Sequence, residues 1–127
     1  MQKQKINITE SEWKIMQILW CEPYLTLGEI KKRLDETIEW DKTTINTLLR
    51  RLKKKQAVAA KEARYSKYYA LVSEEACLVQ EVDSILKKFF YSSPKRLMAT
   101  LIKHEDLTQS DIEEMENLLK EIKERSK

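Results

Sequence analysis

The scarcity of helix-breaking residues is the feature of this sequence that most constrains its fold. Only one glycine and two prolines occur among 127 residues. Because these two residue types supply most tight turns and helix breaks, a chain so poor in them is expected to be largely helical with few turns. Hydrophobic residues make up 42% of the chain, too many for a disordered protein, so one compact unit or two small ones are expected.

The first part of the chain carries the signals of three helices. Thr9 precedes Glu12 by three residues and Thr26 precedes Glu29 by three, and both pairs match a capping box. Asp41 is a good N-cap for a third helix. Apolar residues follow each cap at helical spacing. They are Trp13, Met16, Leu19 and Trp20 in the first helix, Leu27, Ile30 and Leu34 in the second, and Ile45, Leu48, Leu49 and Leu52 in the third.

A short hairpin is predicted after the third helix. Val58–Lys61 and Lys67–Val72 are rich in β-compatible residues, and the turn between them carries Arg64. Helical spacing of apolar residues then returns, with N-terminal signals at Ser73, at Ser93-Pro94 and at Thr108.

The predicted fold class is therefore mainly α with a small β-wing. It is a winged helix-turn-helix followed by a three-helix dimerisation arm. The corresponding domains are a DNA-binding domain at residues 1–72 and a helical dimerisation domain at residues 73–127.

Charge is distributed unevenly between these two parts. Residues 1–72 hold 15 Lys/Arg and 9 Asp/Glu, a net charge of +6, whereas residues 73–127 hold 9 and 12, a net charge of −3. The third helix is the most basic segment, with six Lys/Arg and one Asp between Asp41 and Lys55. A basic part beside an acidic part indicates two roles, one of them the binding of a polyanion.

The third helix, at about residues 42–55, has the side chains that reading DNA requires. A major groove about 12 Å wide admits one helix. Short polar side chains approach base edges there, while long cations, here including Lys53 and Lys55, reach the phosphates. Asn46 suits adenine, and Arg50 suits either guanine or a phosphate. The residues predicted to bind DNA are Lys42, Thr43, Thr44, Asn46, Thr47, Arg50, Arg51, Lys54, Lys61, Arg64 and Lys67.

The last part of the chain has more large apolar residues than three helices can cover by packing on each other. Exposed, they would form a large apolar patch, which an identical arm in a two-fold dimer would cover. The alternative is a monomer whose arm folds onto the first domain. The residues predicted to dimerise are Ile85, Leu86, Phe89, Phe90, Leu97, Met98, Leu101, Ile102, Met115, Leu118, Leu119 and Ile122.

Catalytic, metal and membrane roles have little support. The single histidine, His104, has no cysteine nearby, so no metal site and no cofactor are expected. Neither a glycine-rich phosphate loop nor a nucleophile motif occurs, so an enzyme is the least favoured function. No signal peptide or apolar run of about 18 residues is recognised, which predicts a cytoplasmic protein without a membrane partner. Cys77 is expected to be buried, and Cys21 has no predicted role.

Several motifs occur in a specific order along the chain. They are Glu12-Trp13 with Met16 and Trp20, then Trp40, Thr44-Ile45-x-Thr47-Leu48-x-x-Arg51-Leu52-x-x-Lys55, Tyr68-Tyr69 and Glu105-Asp106-Leu107-Thr108. Together they resemble the penicillinase-repressor family of the BlaI, MecI and CopY type over nearly the whole chain. The resemblance implies a homodimeric repressor on a palindromic operator, with Thr44, Thr47 and Arg51 facing DNA. Gln56 replaces the glycine usual after Lys55, so the third helix is expected to end in another way.

The resemblance also implies a signal. Beta-lactam-responsive members are relieved when a regulatory protease cuts the arm near an Asn-Phe bond, and the matching stretch here has Thr100-Leu101 as the candidate cleavage region. The regulated genes would then serve antibiotic resistance or a related stress. Copper-responsive members carry Cys-x-Cys motifs, which this sequence lacks, so copper sensing by that route is not expected. The alternative function is a protein-interaction module whose basic surface holds an acidic partner.

Overall fold

Three helices, a hairpin and three more helices make up the computed structural model, which describes residues 6–126. This order confirms the predicted winged-helix fold class. The second strand is shorter than predicted, since it ends at Ala70 and not at Val72. The elements are α1 (Glu10–Cys21), α2 (Leu27–Leu34), α3 (Lys42–Lys54), β1 (Val58–Lys61), β2 (Lys67–Ala70), α4 (Glu74–Phe89), α5 (Pro94–His104) and α6 (Gln109–Arg125).

The predicted N-terminal caps are present. The Thr9 hydroxyl accepts a hydrogen bond from the Glu12 amide at 3.2 Å, and the Glu12 carboxylate accepts one from the Thr9 amide at 2.9 Å. The same reciprocal bonds start α2 at Thr26 and α6 at Thr108. Because these bonds satisfy backbone donors that a helix leaves free, each helix start is fixed by its own local sequence.

The hairpin is antiparallel, and its register pairs Val58 with Ala70 and Lys61 with Lys67. Outside the two strands, Leu25 forms an isolated antiparallel bridge with Tyr68. The Leu25 amide donates to the Tyr68 carbonyl at 3.1 Å, and the Tyr68 amide donates to the Leu25 carbonyl at 2.7 Å. This bridge ties the segment before α2 to the wing.

The buried core lies between Ile8 and Cys77, within the first five elements and the start of α4. The indole of Trp20 donates a hydrogen bond to the Val72 carbonyl at 2.8 Å and so joins α1 to the segment after β2. Cys77 is buried, as predicted. The buried hydrophobic residues are Ile8, Ile15, Met16, Leu19, Leu25, Ile30, Leu34, Ile45, Leu48, Leu49, Leu52, Ala57, Val58 and Cys77.

The chain divides into two compact units. The first ends at Glu81 and the second begins at Val82, so the division falls within α4. We call residues 6–81 the winged helix and residues 82–126 the arm. The functional division at residues 72 and 73 stays a prediction, and the ends of its ranges, residues 1–5 and 127, lie outside the described residues.

The arm has no buried residue between Val82 and Ser126. Its three helices make little contact with one another. Phe89, Leu118 and Leu119 are 70%, 60% and 52% exposed. Within residues 6–126, no helix combines the length and the apolar character needed to cross a membrane.

Candidate nucleic-acid interface

The third helix presents two distinct faces. Ile45, Leu49 and Leu52 are at most 1% exposed and pack into the core. The opposite face carries an exposed row at helical spacing i, i+4, i+7 and i+11. That row consists of Thr43, Thr47, Arg50 and Lys54. The buried stripe therefore holds α3 against the core and leaves a polar, cationic ridge on the surface.

The other predicted DNA-binding residues of α3 flank this ridge. Lys42 and Asn46 lie on one side of it, and Thr44 and Arg51 on the other, as the helical period requires. All of them are exposed except Asn46, which is half-buried. The Thr47 hydroxyl donates to the Thr43 carbonyl at 2.9 Å, which leaves its oxygen as an acceptor and its methyl group for apolar contact.

The N-terminus of α3 is capped by the carboxylate of Asp41. Asp41 accepts a hydrogen bond from the Thr44 amide at 2.8 Å, and this backbone bond lowers the pKa of Asp41 below its usual value. Because a negative charge already occupies this helix terminus, phosphates are expected at the Lys and Arg side chains and not at the helix end.

The wing brings one cation close to α3. Arg64 and Lys42 both line a cleft between the wing tip and the start of α2. Gly28, the only glycine, also lines the cleft; a Cβ there would meet nothing closer than the Thr26 hydroxyl at 4.0 Å. The fold itself therefore does not require glycine at this surface position.

The two remaining wing cations have neighbours of their own. The Lys61 ammonium lies 5.9 Å from the centre of the Tyr24 ring. Lys67 is near Glu29, whose pKa is lowered first by hydrogen bonds from Thr26 and further by the charge of Lys67. Both lysines are exposed, and so is Arg64, whose guanidinium lies 5.9 Å from the centre of the Tyr65 ring.

Lys55 has a structural partner that the sequence analysis missed. The sequence predicts that Lys55 reaches a phosphate, but its ammonium donates to the buried Glu12 carboxylate and, at 2.6 Å, to the Asn7 carbonyl. These bonds join the end of α3 to the start of α1. Glu12 stands in register with Ile15, Met16 and Leu19 on the buried face of α1. A charged residue at such a position needs a partner. The place of Glu12 on the apolar face of α1 is therefore the sequence signal that could have predicted an ion pair.

The ionisation of Glu12 reflects this environment. Burial raises its pKa, but the hydrogen bond from Lys55, the Thr9 amide and the charge of Lys55 together outweigh burial and hold the pKa below its usual value. The side chain is fully buried, and its Oε2 has no hydrogen-bond partner in the described residues. The pair is thus an ionised contact inside the winged helix.

The end of α3 corrects a second expectation. Gln56 has a positive φ of 65°, and its backbone amide donates to the Lys53 carbonyl at 3.0 Å. The Ala57 amide donates to the Leu52 carbonyl at 2.9 Å. This is the Schellman arrangement that glycine normally completes. The expectation that a non-glycine residue would end the helix in another way is wrong, since glutamine adopts the left-handed conformation there.

The residues predicted to dimerise form no buried cluster within the chain. Ile85, Phe89, Leu101, Ile102, Leu118, Leu119 and Ile122 are exposed, and Leu86, Phe90, Leu97, Met98 and Met115 are half-buried. The candidate cleavage bond, Thr100-Leu101, lies inside α5, where the Thr100 hydroxyl donates to the Arg96 carbonyl at 2.9 Å. No group of three or more potential metal ligands occurs in residues 6–126.

Comparison with known proteins gives consistent results. Residues 8–121 match the family model described as penicillinase repressor. The chain is 29% identical over 120 residues to the methicillin resistance regulatory protein MecI of Staphylococcus aureus, covering 94% of this chain and 98% of MecI. It is 28% identical over 122 residues to the penicillinase repressor of Bacillus licheniformis, covering 95% of each.

A solved structure matches the fold. The solution structure of monomeric Bacillus licheniformis BlaI in complex with the blaP half-operator has a TM-score of 0.50 and 32% identity. The match covers 57% of this chain and 92% of that one.

Proposed function

The chain belongs to the penicillinase repressor family and is a DNA-binding transcriptional repressor, and we propose that it acts in the cytoplasm as a homodimer on a palindromic operator. The proposed operator contacts are the α3 ridge and the basic wing. The observation that carries the proposal is the ridge of Thr43, Thr47, Arg50 and Lys54, which is exposed along one side of a helix whose other side is fully buried.

The ridge combines the two kinds of contact that operator recognition needs. Its threonines, with Asn46 beside them, suit base edges, and its cations suit phosphates. Lys42 and Arg64 add two cations at the wing cleft. An acidic protein partner would need cations alone, so the mixed chemistry favours DNA.

The homodimer is proposed because the arm exposes its apolar residues. A two-fold dimer would cover them and would place two copies of α3 on half-sites about one helical turn apart. The relative solved with DNA is bound to a half-operator, and paired half-sites are what such a dimer would hold. The named relatives suggest that the regulated genes serve resistance to beta-lactams or a related stress.

We also propose that repression ends when a regulatory protease cuts the Thr100-Leu101 bond. The bond lies within α5, and Leu101 also accepts a hydrogen bond from the Glu105 amide at 3.0 Å. Because proteases bind their substrates as extended chain, α5 would have to unwind before cleavage. The cleavage rate should therefore depend on the local stability of α5.

The function is tested with the full chain, its own promoter fragment and a random duplex, at low and high salt. We expect the promoter to be preferred by about a thousandfold or more, with affinity falling steeply as salt rises. Weak binding without preference would contradict the operator proposal. Absence of duplex binding even at low salt would favour the acidic-partner alternative.

Two variants separate the roles of individual residues in the same assay. Arg51→Ala should weaken binding to both duplexes and reduce the salt slope by about one, because it removes one phosphate contact. Asn46→Ala should lower the preference for one operator position by about 1–3 kcal/mol and leave the salt slope unchanged. Equal losses on both duplexes for both variants would contradict this division of roles.

A further inference from the structure

The outer face of the wing carries an aromatic and cationic surface. Because side chains alternate between the two faces of a strand, the register of the hairpin places Tyr69, Lys61 and Lys67 together on one face. Tyr68 points to the other face, where it lines the cleft between the wing tip and the start of α2. The first three residues therefore face away from that cleft.

Tyr24, in the segment before α2, completes this surface. Its ring centre lies 5.1 Å from that of Tyr69, with the two ring planes tilted by 39°, and 5.9 Å from the Lys61 ammonium. The side chain of Tyr24 is 49% exposed, so a large part of its ring is in contact with water. We call Tyr24, Tyr69, Lys61 and Lys67 the wing platform.

The backbone at Tyr24 has a conformation that tyrosine rarely adopts. Its φ is 65°, in the left-handed region, and the amides of Tyr24 and Leu25 both donate to the Tyr68 carbonyl, at 2.9 and 3.1 Å. Glycine would adopt this φ at a lower cost. Strained positions of this kind cluster at binding sites, which is consistent with a role for the exposed ring.

The two lysines of the platform lie directly opposite each other in the register of the hairpin. Like charges at opposite positions of paired strands destabilise the pair, and an anion bound beside them relieves the repulsion. The ion pairs found in residues 6–126 include neither Lys61 nor Lys67. The Glu29 carboxylate interacts with Lys67 only over a longer distance. The platform therefore keeps a positive charge next to two aromatic rings.

We propose that the wing platform binds single-stranded nucleic acid. Unpaired bases stack on the rings of Tyr24 and Tyr69, and the phosphates lie at Lys61 and Lys67. Aromatic rings on a sheet face, with cations beside them, suit single strands because stacking accepts any base and the cations follow the backbone. A duplex keeps its bases stacked on one another and does not offer them to the rings.

The platform is a second nucleic-acid surface and does not rest on the homodimer or on the operator proposal. It assigns Lys61 and Lys67 to a single strand, whereas the α3 ridge and the cleft cations Lys42 and Arg64 remain with the operator duplex. Tyr68 lines that cleft and Tyr69 faces away from it, so the two surfaces can be occupied at the same time.

The test uses the full chain and a fluorescently labelled oligomer of about 12 deoxyuridines, which do not pair with one another, with binding measured by fluorescence anisotropy. Tyr24→Ala should raise the dissociation constant by about tenfold, because it removes a stacking surface. Tyr24→Phe keeps the ring and should bind like the wild type. Lys61→Gln should reduce the salt slope by about 0.7, the value for one phosphate of a single strand.

Tyr91→Ala is the matched control. Tyr91 is also an exposed tyrosine with a positive φ, here 52°, but it lies in the arm. We expect this variant to bind the oligomer like the wild type. The inference is overturned if the control weakens binding as much as Tyr24→Ala does, if Tyr24→Ala binds as tightly as the wild type, or if Tyr24→Phe loses binding to the same extent.

Competition separates the platform from the operator surface. A saturating amount of unlabelled promoter duplex should leave the labelled oligomer bound, because the platform faces away from the cleft. Complete displacement would mean that the oligomer occupies the operator surface, and the inference would be wrong. If the promoter duplex does not bind at all, the operator proposal fails, but the Tyr24 and Lys61 variants still decide whether the platform binds the oligomer.

An oligouridine of the same length identifies the source of the strand. Its bases are the same as those of the deoxyuridine oligomer, and only the 2′-hydroxyl differs. Tighter binding of oligouridine would assign the platform to a transcript, and tighter binding of the deoxy form would assign it to an opened DNA strand. Equal binding would show that stacking and charge alone are read. Binding of neither oligomer overturns the inference.

Discussion

Helices α3 and α6 have the same kind of N-terminal cap and the same spacing of apolar residues, but opposite environments. Each begins at a capping residue, and each carries an apolar stripe at helical spacing. The stripe of α3 is at most 6% exposed, whereas Leu118 in α6 is 60% exposed. Local sequence therefore determines where a helix starts and which face is apolar. Burial depends on what the rest of the chain, or a second chain, packs against that face.

The largest expected difference between the two regions is in the cost of removing a leucine. Leu49→Ala should destabilise the winged helix by about 3–4 kcal/mol at every protein concentration, because it leaves a cavity in a closed core. Leu118→Ala should change stability only at concentrations where the protein is dimeric. Urea unfolding at several protein concentrations measures both effects. Equal, concentration-independent losses would mean that α6 packs within its own chain.

The buried ion pair gives the next largest effect. Lys55→Met should destabilise the winged helix by about 3 kcal/mol, because it leaves Glu12 buried without its cation. Lys54→Met, one residue earlier on the exposed ridge, should leave stability nearly unchanged and reduce the salt slope of DNA binding by about one. Urea unfolding and salt-dependent binding of the two variants make the comparison. If Lys55→Met also reduced the slope, Lys55 would be a phosphate contact.

The ion pair of Glu12 with Lys55 should also affect how the free energy of unfolding depends on pH. The pKa of Glu12 is lower in the folded than in the unfolded protein, so its contribution to stability is present above the unfolded pKa and is lost as the pH falls through the folded pKa. Glu12→Gln should flatten that part of the stability profile. If the free energy of unfolding of this variant falls at acidic pH as steeply as that of the wild type, other carboxylates are responsible for the acid sensitivity.

The smallest effect is expected at the end of α3. Gln56→Gly should stabilise the winged helix by about 1 kcal/mol, since glycine adopts a positive φ without the steric cost that a side chain imposes. Gln56→Ala is the control and should bring no gain, because alanine keeps a Cβ at the same φ. Thermal unfolding of the two variants distinguishes a backbone effect from the loss of the glutamine side chain.

The sequence predicted those parts of the fold that are encoded locally. The pairs Thr9 with Glu12 and Thr26 with Glu29 lie within one helical turn, so their spacing alone revealed the helix starts. The pairing of Leu25 with Tyr68 joins residues far apart in the chain, and no local pattern announces it. The end of β2 at Ala70, two residues before the predicted end, is likewise set by where the partner strand begins at Val58.

For the candidate site, the sequence predicted well which residues of α3 lie on its outer face. It predicted less well which of its cations are free to bind DNA. The threonines and arginines of α3 lie on its outer face because the helical period places them there. Lys55 looked equivalent to Lys54 in sequence, yet it binds Glu12, 43 positions away. Asn46 is predicted to contact a base, but unlike the threonines beside it, it is half-buried. Such differences depend on neighbouring elements and follow only from the folded chain.

The placement of the three tryptophans has a practical consequence for spectroscopy. Trp13, Trp20 and Trp40 all lie in the winged helix, where Trp13 and Trp20 form an edge-to-face pair with ring centres 5.4 Å apart. Indole emission therefore reports on the winged helix alone, while far-ultraviolet circular dichroism sums all six helices of residues 6–126. If the two signals change at different urea concentrations, the difference between the curves is the signal of the arm, obtained without any attached label.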